Sequence, residues 1–196
     1  MSFIPQDEIK RKMFHLLMIL YIVAYYYLPE RTVLIILGTF TVFCAIIEIV
    51  RYYNDKFNFF LLRTFSGIYR KSEEYKVAGI LWTLIGAIIT IVLFENRSCV
   101  LASFLFLALG DSAAALFGKA IGRHKIYAGK TLEGSLACFV VCVVVGFIIF
   151  QSWQIALIGA LIATFIESIP WPLSDNLWMQ VANAGVLTAL TKYLPI

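Results

Sequence analysis

The sequence predicts an all-α fold, a polytopic membrane helix bundle of about seven transmembrane helices with a cytoplasmic amino terminus and an external carboxyl terminus. Three observations predict it. Of the 196 residues, 61% are apolar and only 14% charged, whereas soluble globular chains carry roughly 25% charged residues. The apolar residues gather in seven runs, each near the roughly 17–25 residues that cross a hydrocarbon core about 30 Å thick. The basic residues fall almost entirely on one side of the crossings. Such a chain cannot hide its apolar surface in water, so a single membrane-embedded domain over 1–196 must hold whatever chemistry there is.

The first run, 13–28, is short and ends in Tyr25-Tyr26-Tyr27-Leu28, not in the small residues a signal peptidase needs, so it is a retained helix. The second covers 32–50. Between 51 and 76, Phe57, Phe60, Leu61, Phe65 and Ile68 alternate with Lys56, Arg63, Arg70 and Lys71. That mixture suits an interfacial cytoplasmic segment lying on anionic lipid, with a plain solvated loop as the alternative. Runs 77–94 and 100–117 follow, then a basic, glycine-punctuated loop over 118–131. Runs 132–150, 153–169 and 177–194 complete the bundle, the last being the most polar. Cys44, Cys99, Cys138 and Cys142 form no CxxC pair and read as packing residues.

Lysine and arginine mark cytoplasmic loops. Thirteen of the sixteen lie at 10–12, 51–76 and 119–130, and only Arg31, Arg97 and Lys192 fall opposite. Every loop of any length therefore faces the cytoplasm.

An ionisable residue inside a bilayer costs on the order of 2.5–3.5 kcal/mol on insertion scales and needs a partner or a task. Glu48, Asp111, Glu133, Glu167 and Asp175 all fall near the cytoplasmic ends of the runs. A transporter places such groups nearer the midplane; here they ring one interface, beside Lys119, Arg123, Lys125 and Lys130. Carboxylates next to a basic loop bearing Gly118, Gly122 and Gly129 suggest phosphates and Mg²⁺, because Mg²⁺ is held by one or two carboxylates plus substrate phosphates. Glycines let backbone N–H groups approach phosphate oxygens. Gly129-Lys130-Thr131 resembles the end of a P-loop, but His124 stands where the first glycine belongs and no strand precedes it, so that reading fails. Bland roles exist too: Glu48 can pair with Arg51 one turn on, and Gly118 with Gly122 can be a small-xxx-small helix contact. Asp111 is harder to dismiss, since Gly110-Asp111-Ser112-Ala113-Ala114-Ala115 clears space around a carboxylate. His15 is assigned no catalytic role.

The run Leu109-Gly110-Asp111 through Gly118-Lys119-Ala120-Ile121-Gly122-Arg123, followed by Lys130-Thr131-Leu132-Glu133-Gly134-Ser135, resembles the CTP-dependent lipid kinases: the dolichol, polyprenol, phytol and yeast-type diacylglycerol kinases. Weaker echoes are Arg11-Lys12 with His15, Glu48 with Arg51, and Glu167 before Asp175-Asn176. The resemblance implies transfer of the γ-phosphoryl group of CTP to a lipid hydroxyl, with an isoprenoid alcohol or diacylglycerol as acceptor. In that family an Asp followed by spaced glycines and a Lys-Ser/Thr-x-x-Gly segment forms the nucleotide site. Carried over, Gly118, Lys119, Gly122, Arg123, Lys130, Thr131, Gly134 and Asn176 bind CTP; Asp111, Glu133 and Lys130 act in catalysis; and Asp111, with Glu133 or Asp175, holds Mg²⁺. The expected partners are CTP, the lipid alcohol and the bilayer, and no nucleic acid. Two rivals stay open, a phosphatidate cytidylyltransferase-like enzyme and a non-enzymatic transporter.

The basic asymmetry makes a testable statement about sidedness. A cysteine introduced as His124→Cys should react with impermeant thiol reagents only in inside-out vesicles; reaction only from outside intact cells would reverse the topology and remove cytosolic CTP as substrate.

Overall fold

The computed structural model describes residues 5–69, 73–74, 76–127, 129–169 and 171–194. Among the described residues ten α-helices follow in order: α1 (Gln6–His15), α2 (Met18–Tyr27), α3 (Glu30–Tyr53), α4 (Asp55–Thr64), α5 (Gly79–Leu93), α6 (Arg97–Leu105), α7 (Ser112–Ile121), α8 (Leu132–Phe150), α9 (Trp153–Ser168) and α10 (Asp175–Tyr193). Among the described residues there is no strand, only an isolated bridge between Lys125 and Thr131. All seven apolar runs are helical, as the composition requires.

Each turn is written in local chemistry. Proline pushes its predecessor out of the helical region; Leu28, before Pro29, is extended, which ends α2 and lets α3 begin at once. Asn54 caps α4 by accepting from Phe57 N at 3.0 Å, and Asn96 caps α6 by accepting from Cys99 N at 3.2 Å. Ser174 accepts from Asn176 N at 3.2 Å at the start of α10. These side chains satisfy backbone donors that have no partner within the helix.

Among the described residues three helical stretches are long and apolar enough to span a membrane by themselves, Glu30–Tyr53, Arg97–Ile121 and Leu132–Phe150, and Gly79–Leu93 and Trp153–Ser168 are shorter apolar helices. The apolar window of Arg97–Ile121 is 61% buried within the protein, that of α8 33% and that of α3 only 17%. The stretch α6–α7 is therefore the centre of the bundle, and α3 the helix most given over to lipid, turning Ile35, Ile36, Phe43 and Ile46 outward. Between α6 and α7 the chain makes a π-helical turn, Phe106–Asp111. The wider turn inserts an extra residue into the helix, a distortion frequent at functional sites, and it ends on Asp111.

The structure corrects several expected boundaries. The first run is a broken helix: i→i+3 bonds from Leu17 N to Phe14 O and from Leu20 N to Leu17 O tighten the chain between α1 and α2. Glu48 does not close its helix, since α3 continues to Tyr53. Gly118 to Ile121, expected in the loop, form the last turn of α7, so the loop proper starts at Gly122. Within 51–76, α4 is a true helix that exposes Phe59 and Phe60 and buries Asn58 and Leu61; Arg70 and Lys71 lie outside the described residues.

Arg51 ties this segment to the bundle. It is buried, and its guanidinium donates to Glu48 Oε2 at 2.6 Å, Asn58 Oδ1 at 3.2 Å, Glu73 O at 2.9 Å and Lys76 O at 2.6 Å. Glu48 Oε2 also accepts from Ala78 N, just ahead of α5, at 3.1 Å. The Glu48–Arg51 pair is thus the bland helix-turn pairing, enlarged into a fastening of three backbone segments. Only a planar fork of donors can serve acceptors in so many directions. Arg51→Lys should therefore destabilise the detergent-solubilised protein by roughly 2–4 kcal/mol, read as a lower unfolding midpoint; an unchanged midpoint would deny the fastening role.

Candidate active site

At the end of the bundle where α1, α7 and α9 finish and α8 and α10 start, the helices enclose a cavity of about 230 Å³. Its lining includes four acidic side chains, Glu8, Asp111, Glu167 and Asp175, and four basic ones, Arg11, Lys12, Lys119 and Lys130. The remainder is small: Ala114, Ala115, Gly118, Gly129, Thr131, Gly134 and Ser135.

Two ion pairs organise it, the first buried and the second half-buried. Lys12 donates to Asp111 Oδ2, and both residues are buried, at 4% and 5% exposure. His15 Nε2 stands 3.5 Å from the same oxygen and 3.4 Å from Leu107 O. Lys130 donates to Glu167 Oε1, whose residue is 2% exposed. Burying one charge alone costs several kcal/mol, and a close counter-charge is what makes it tolerable. Burial alone would lower the pKa of Lys130, but the charges of Glu167 and Asp111 and the hydrogen bond to Glu167 outweigh it, so the net shift is upward and the ammonium is kept. Glu167 Oε2 is buried and has no hydrogen-bond partner among the described residues.

The loop between α7 and α8 is a pinned turn. Ile126 N donates to Lys130 O and Leu132 N to His124 O, both at 2.9 Å. Gly129 sits at φ +80°, a left-handed conformation that side chains resist, and this reversal returns the chain so that Lys130 enters the cavity. Thr131 then caps α8, its Oγ1 accepting from Gly134 N at 3.2 Å. That oxygen lies against Gly118 and Gly122, where a side chain would come within 2.9 Å and 2.7 Å of it. A Cβ on Gly134 would lie 2.6 Å from Ala114 O. The glycines of the motif let α7 and α8 cross with backbones nearly touching, the small-residue contact that the spacing allowed as a bland role. The consequence is chemical as well: the amino-terminal end of α8, the positive end of its dipole, is brought to the cavity wall.

The expected site residues divide accordingly. Asp111, Gly118, Lys119, Lys130, Thr131, Gly134 and Asp175 line one cavity. Glu133 does not join them: its Oε1 lies 2.8 Å from Nδ1 of the exposed His124, because Leu132–Gly134 form the first turn of α8 and neighbouring side chains on a turn point different ways. Asn176 turns from the cavity to Thr83 Oγ1 at 2.9 Å, and Arg123 is exposed in the loop. In the sequence Lys12 is a topology signal and, with Arg11 and His15, a weak echo of the family, and His15 has no catalytic role; the structure brings both Lys12 and His15 to Asp111. Their i, i+3 spacing puts them on one helix face. Glu167 was visible as one of five acids near a helix end and as a weak echo ahead of Asp175-Asn176.

No family model matches the chain, and no solved structure matches it. Known proteins do. The CTP-dependent diacylglycerol kinase 1 of Saccharomyces cerevisiae is 31% identical over 222 aligned positions, which take in 97% of this chain and 76% of that protein. The protein of the same name from Schizosaccharomyces pombe is 28% identical, over 71% of this chain and 72% of its own length. An uncharacterized protein of Rickettsia prowazekii is 30% identical over 87% of this chain and 88% of its own. With nearly the whole chain aligned to the budding-yeast enzyme, and the Asp-Gly and Lys-Thr-x-x-Gly segments meeting in one charged cavity, this protein belongs to the CTP-dependent lipid kinases.

Proposed function

We propose that the protein transfers the γ-phosphoryl group of CTP to the hydroxyl of a membrane lipid, on the cytoplasmic face, releasing CDP. The observation that carries the reading is the convergence of four cations and four carboxylates in one small-residue-lined cavity at the basic end of the bundle. A transporter needs no such charge-balanced pocket. The acceptor is diacylglycerol, as the names of the yeast relatives suggest, or an isoprenoid alcohol, as the sequence motif suggests.

In this scheme the two ion pairs hold the cavity neutral until nucleotide arrives. Lys12 and Lys130 then turn from carboxylates to phosphate oxygens, with Lys119, Arg11 and the amino-terminal end of α8 completing an anion cradle. Among the described residues no three metal-ligating side chains come together, so Mg²⁺ would rest on one or two carboxylates, Asp111 or Asp175, together with substrate phosphates, while buried Glu167 Oε2 in the same lining has acceptor capacity to spare. Bound there, the ion would neutralise charge on the β- and γ-phosphates. The acceptor oxygen bonds to the γ-phosphorus while the bond to the β–γ bridging oxygen breaks, its electron pair leaves with CDP, and the hydroxyl proton passes to a carboxylate of the cavity. A loose transition state makes positioning and charge neutralisation the larger part of the rate.

Purified protein given CTP labelled at the γ-phosphate, Mg²⁺ and a panel of diacylglycerol, dolichol, undecaprenol, phytol and geranylgeraniol should move label into lipid. Label in pyrophosphate, with phosphatidate as co-substrate, would instead identify a cytidylyltransferase, and no turnover with any lipid would remove the enzymatic reading.

Asp111→Asn keeps the shape of the side chain and removes its charge. Activity should fall by about 10³-fold or more, equivalent to about 4 kcal/mol of transition-state stabilisation. The variant should still fold, with a lower unfolding midpoint because buried Lys12 loses its counter-charge. Near-normal turnover in the well-folded variant would sink the assignment of Asp111, and with it the roles given to Lys119 and Lys130.

A further inference from the structure

A second, larger cavity of about 1320 Å³ lies beside the charged one, between the inner ends of α3 and α5, the segment that Arg51 fastens, and the turn ahead of α10. The two cavities share two lining residues, Lys130 and Asp175. Whatever occupies the larger space therefore lies against the same two side chains as the contents of the smaller one.

We infer that this groove is the acceptor site, which admits a neutral lipid alcohol from the bilayer past α3 and presents its hydroxyl at the Lys130–Asp175 edge; the inference rests on the kinase reading above. Four observations carry it. The groove contains aliphatic and indole surface, from Ile49, Leu81, Trp82, Ile169 and Trp171, that a hydrocarbon chain can cover. Trp171 is held in place, its Nε1 donating to Ile166 O at 2.8 Å. The groove reaches the lipid side through α3, the least buried of the spanning helices, where Ile49 is 57% exposed. Among the described residues its charged lining comprises five acidic side chains against three basic ones, an excess that disfavours the polyphosphate of a nucleotide and is indifferent to an uncharged alcohol. The space also exceeds the roughly 300–1,000 Å³ of ordinary small-molecule pockets, more than a cytosine ring needs. Arg51, by binding the carbonyls of Glu73, Glu74 and Lys76, fixes one wall.

Two measurements test this. The first is independent of turnover: the intact protein in lipid nanodiscs is irradiated with diacylglycerol bearing a diazirine on one acyl chain and, separately, with farnesol bearing a diazirine. Peptides containing 45–58, 76–82 or 171–174 should be labelled, and unlabelled diacylglycerol or farnesol should suppress the labelling. Specific labelling elsewhere, or none with either probe, overturns the inference.

The second is kinetic. Ile49→Trp narrows the groove mouth on a lipid-facing position, and Trp82→Ala widens the groove. Ile49→Trp should raise the KM for lipid in mixed micelles by about tenfold with the KM for CTP unchanged, and Trp82→Ala should shift preference among acyl or prenyl chain lengths. A rise confined to the KM for CTP would make the groove a nucleotide-base pocket, and unchanged constants in both variants would leave it without a part in the reaction; either overturns the inference. If wild-type protein transfers no phosphoryl group to any lipid while the probes still label the groove, the kinase reading fails and the lipid site stands.

Discussion

The pairing of Lys12 with Asp111 governs the arrangement of this protein. A carboxylate at the end of an intramembrane π turn is costly in isolation and tolerable once an ammonium is locked to it. The cation comes from α1, the carboxylate from the central stretch of the bundle, and the pair joins residues 99 positions apart. Because α1 must deliver Lys12 there, the amino-terminal segment is held over the mouth of the cavity, where Glu8 and Arg11 also line it. The second pair, Lys130 with Glu167, repeats the device between the α7–α8 loop and α9. Both pairs are neutral as units, which a low-dielectric interior accepts, and both place a cation where an anionic ligand can claim it.

The small residues of the bundle act together with these charges. Glycine at 118 and 134 brings α7 and α8 close enough to seat Thr131 between them, and the same contact sets the amino-terminal end of α8 on the cavity. Larger side chains would separate the helices and move Lys130 and Asp111 apart. At the opposite end of the bundle the task is simpler: Arg97 donates to Leu28 O at 2.8 Å and to Tyr25 O, closing the α2–α3 turn. Polar glue also runs between helices at depth, where Gln180 donates to Thr83 O at 2.9 Å and Asn176 O at 3.0 Å and accepts from Tyr21 at 3.2 Å. One end of the molecule is built for cohesion and the other for charge.

Much of the site was legible in the order of residues. Asp111 announced itself as an ionisable group flanked by small residues in an apolar run, and Lys130-Thr131 with Gly134 as a basic residue and cap ahead of the next run. Where the structure parts or joins residues differently from their order in the chain, the causes are of two physical kinds. Glu133 lies beside Gly134 in sequence but points to His124, because successive side chains on a helix diverge by about 100°. Lys12 and His15 looked like interfacial residues because their partner is about a hundred positions away, beyond any local pattern. Boundaries failed for a similar reason: apolar character fell off at Gly118, but the helix continued to Ile121.

What the sequence by itself determined is the solvent this chain requires, its helices and their caps, and the gathering of basic residues at one end. These follow from local causes, namely apolar run length, proline and Asn, Ser or Thr at helix starts, and the cost of charge in hydrocarbon. The tertiary structure alone decided which carboxylate faces which cation, that Glu167 stands in the cavity while Glu133 stands outside, and that a wide groove abuts the charged site at Lys130 and Asp175. The reason is that ion pairing and cavity shape depend on distances between helices remote in sequence. Those distances are set by how glycine contacts and buried polar bonds allow the helices to pack, and no periodicity along the chain encodes them.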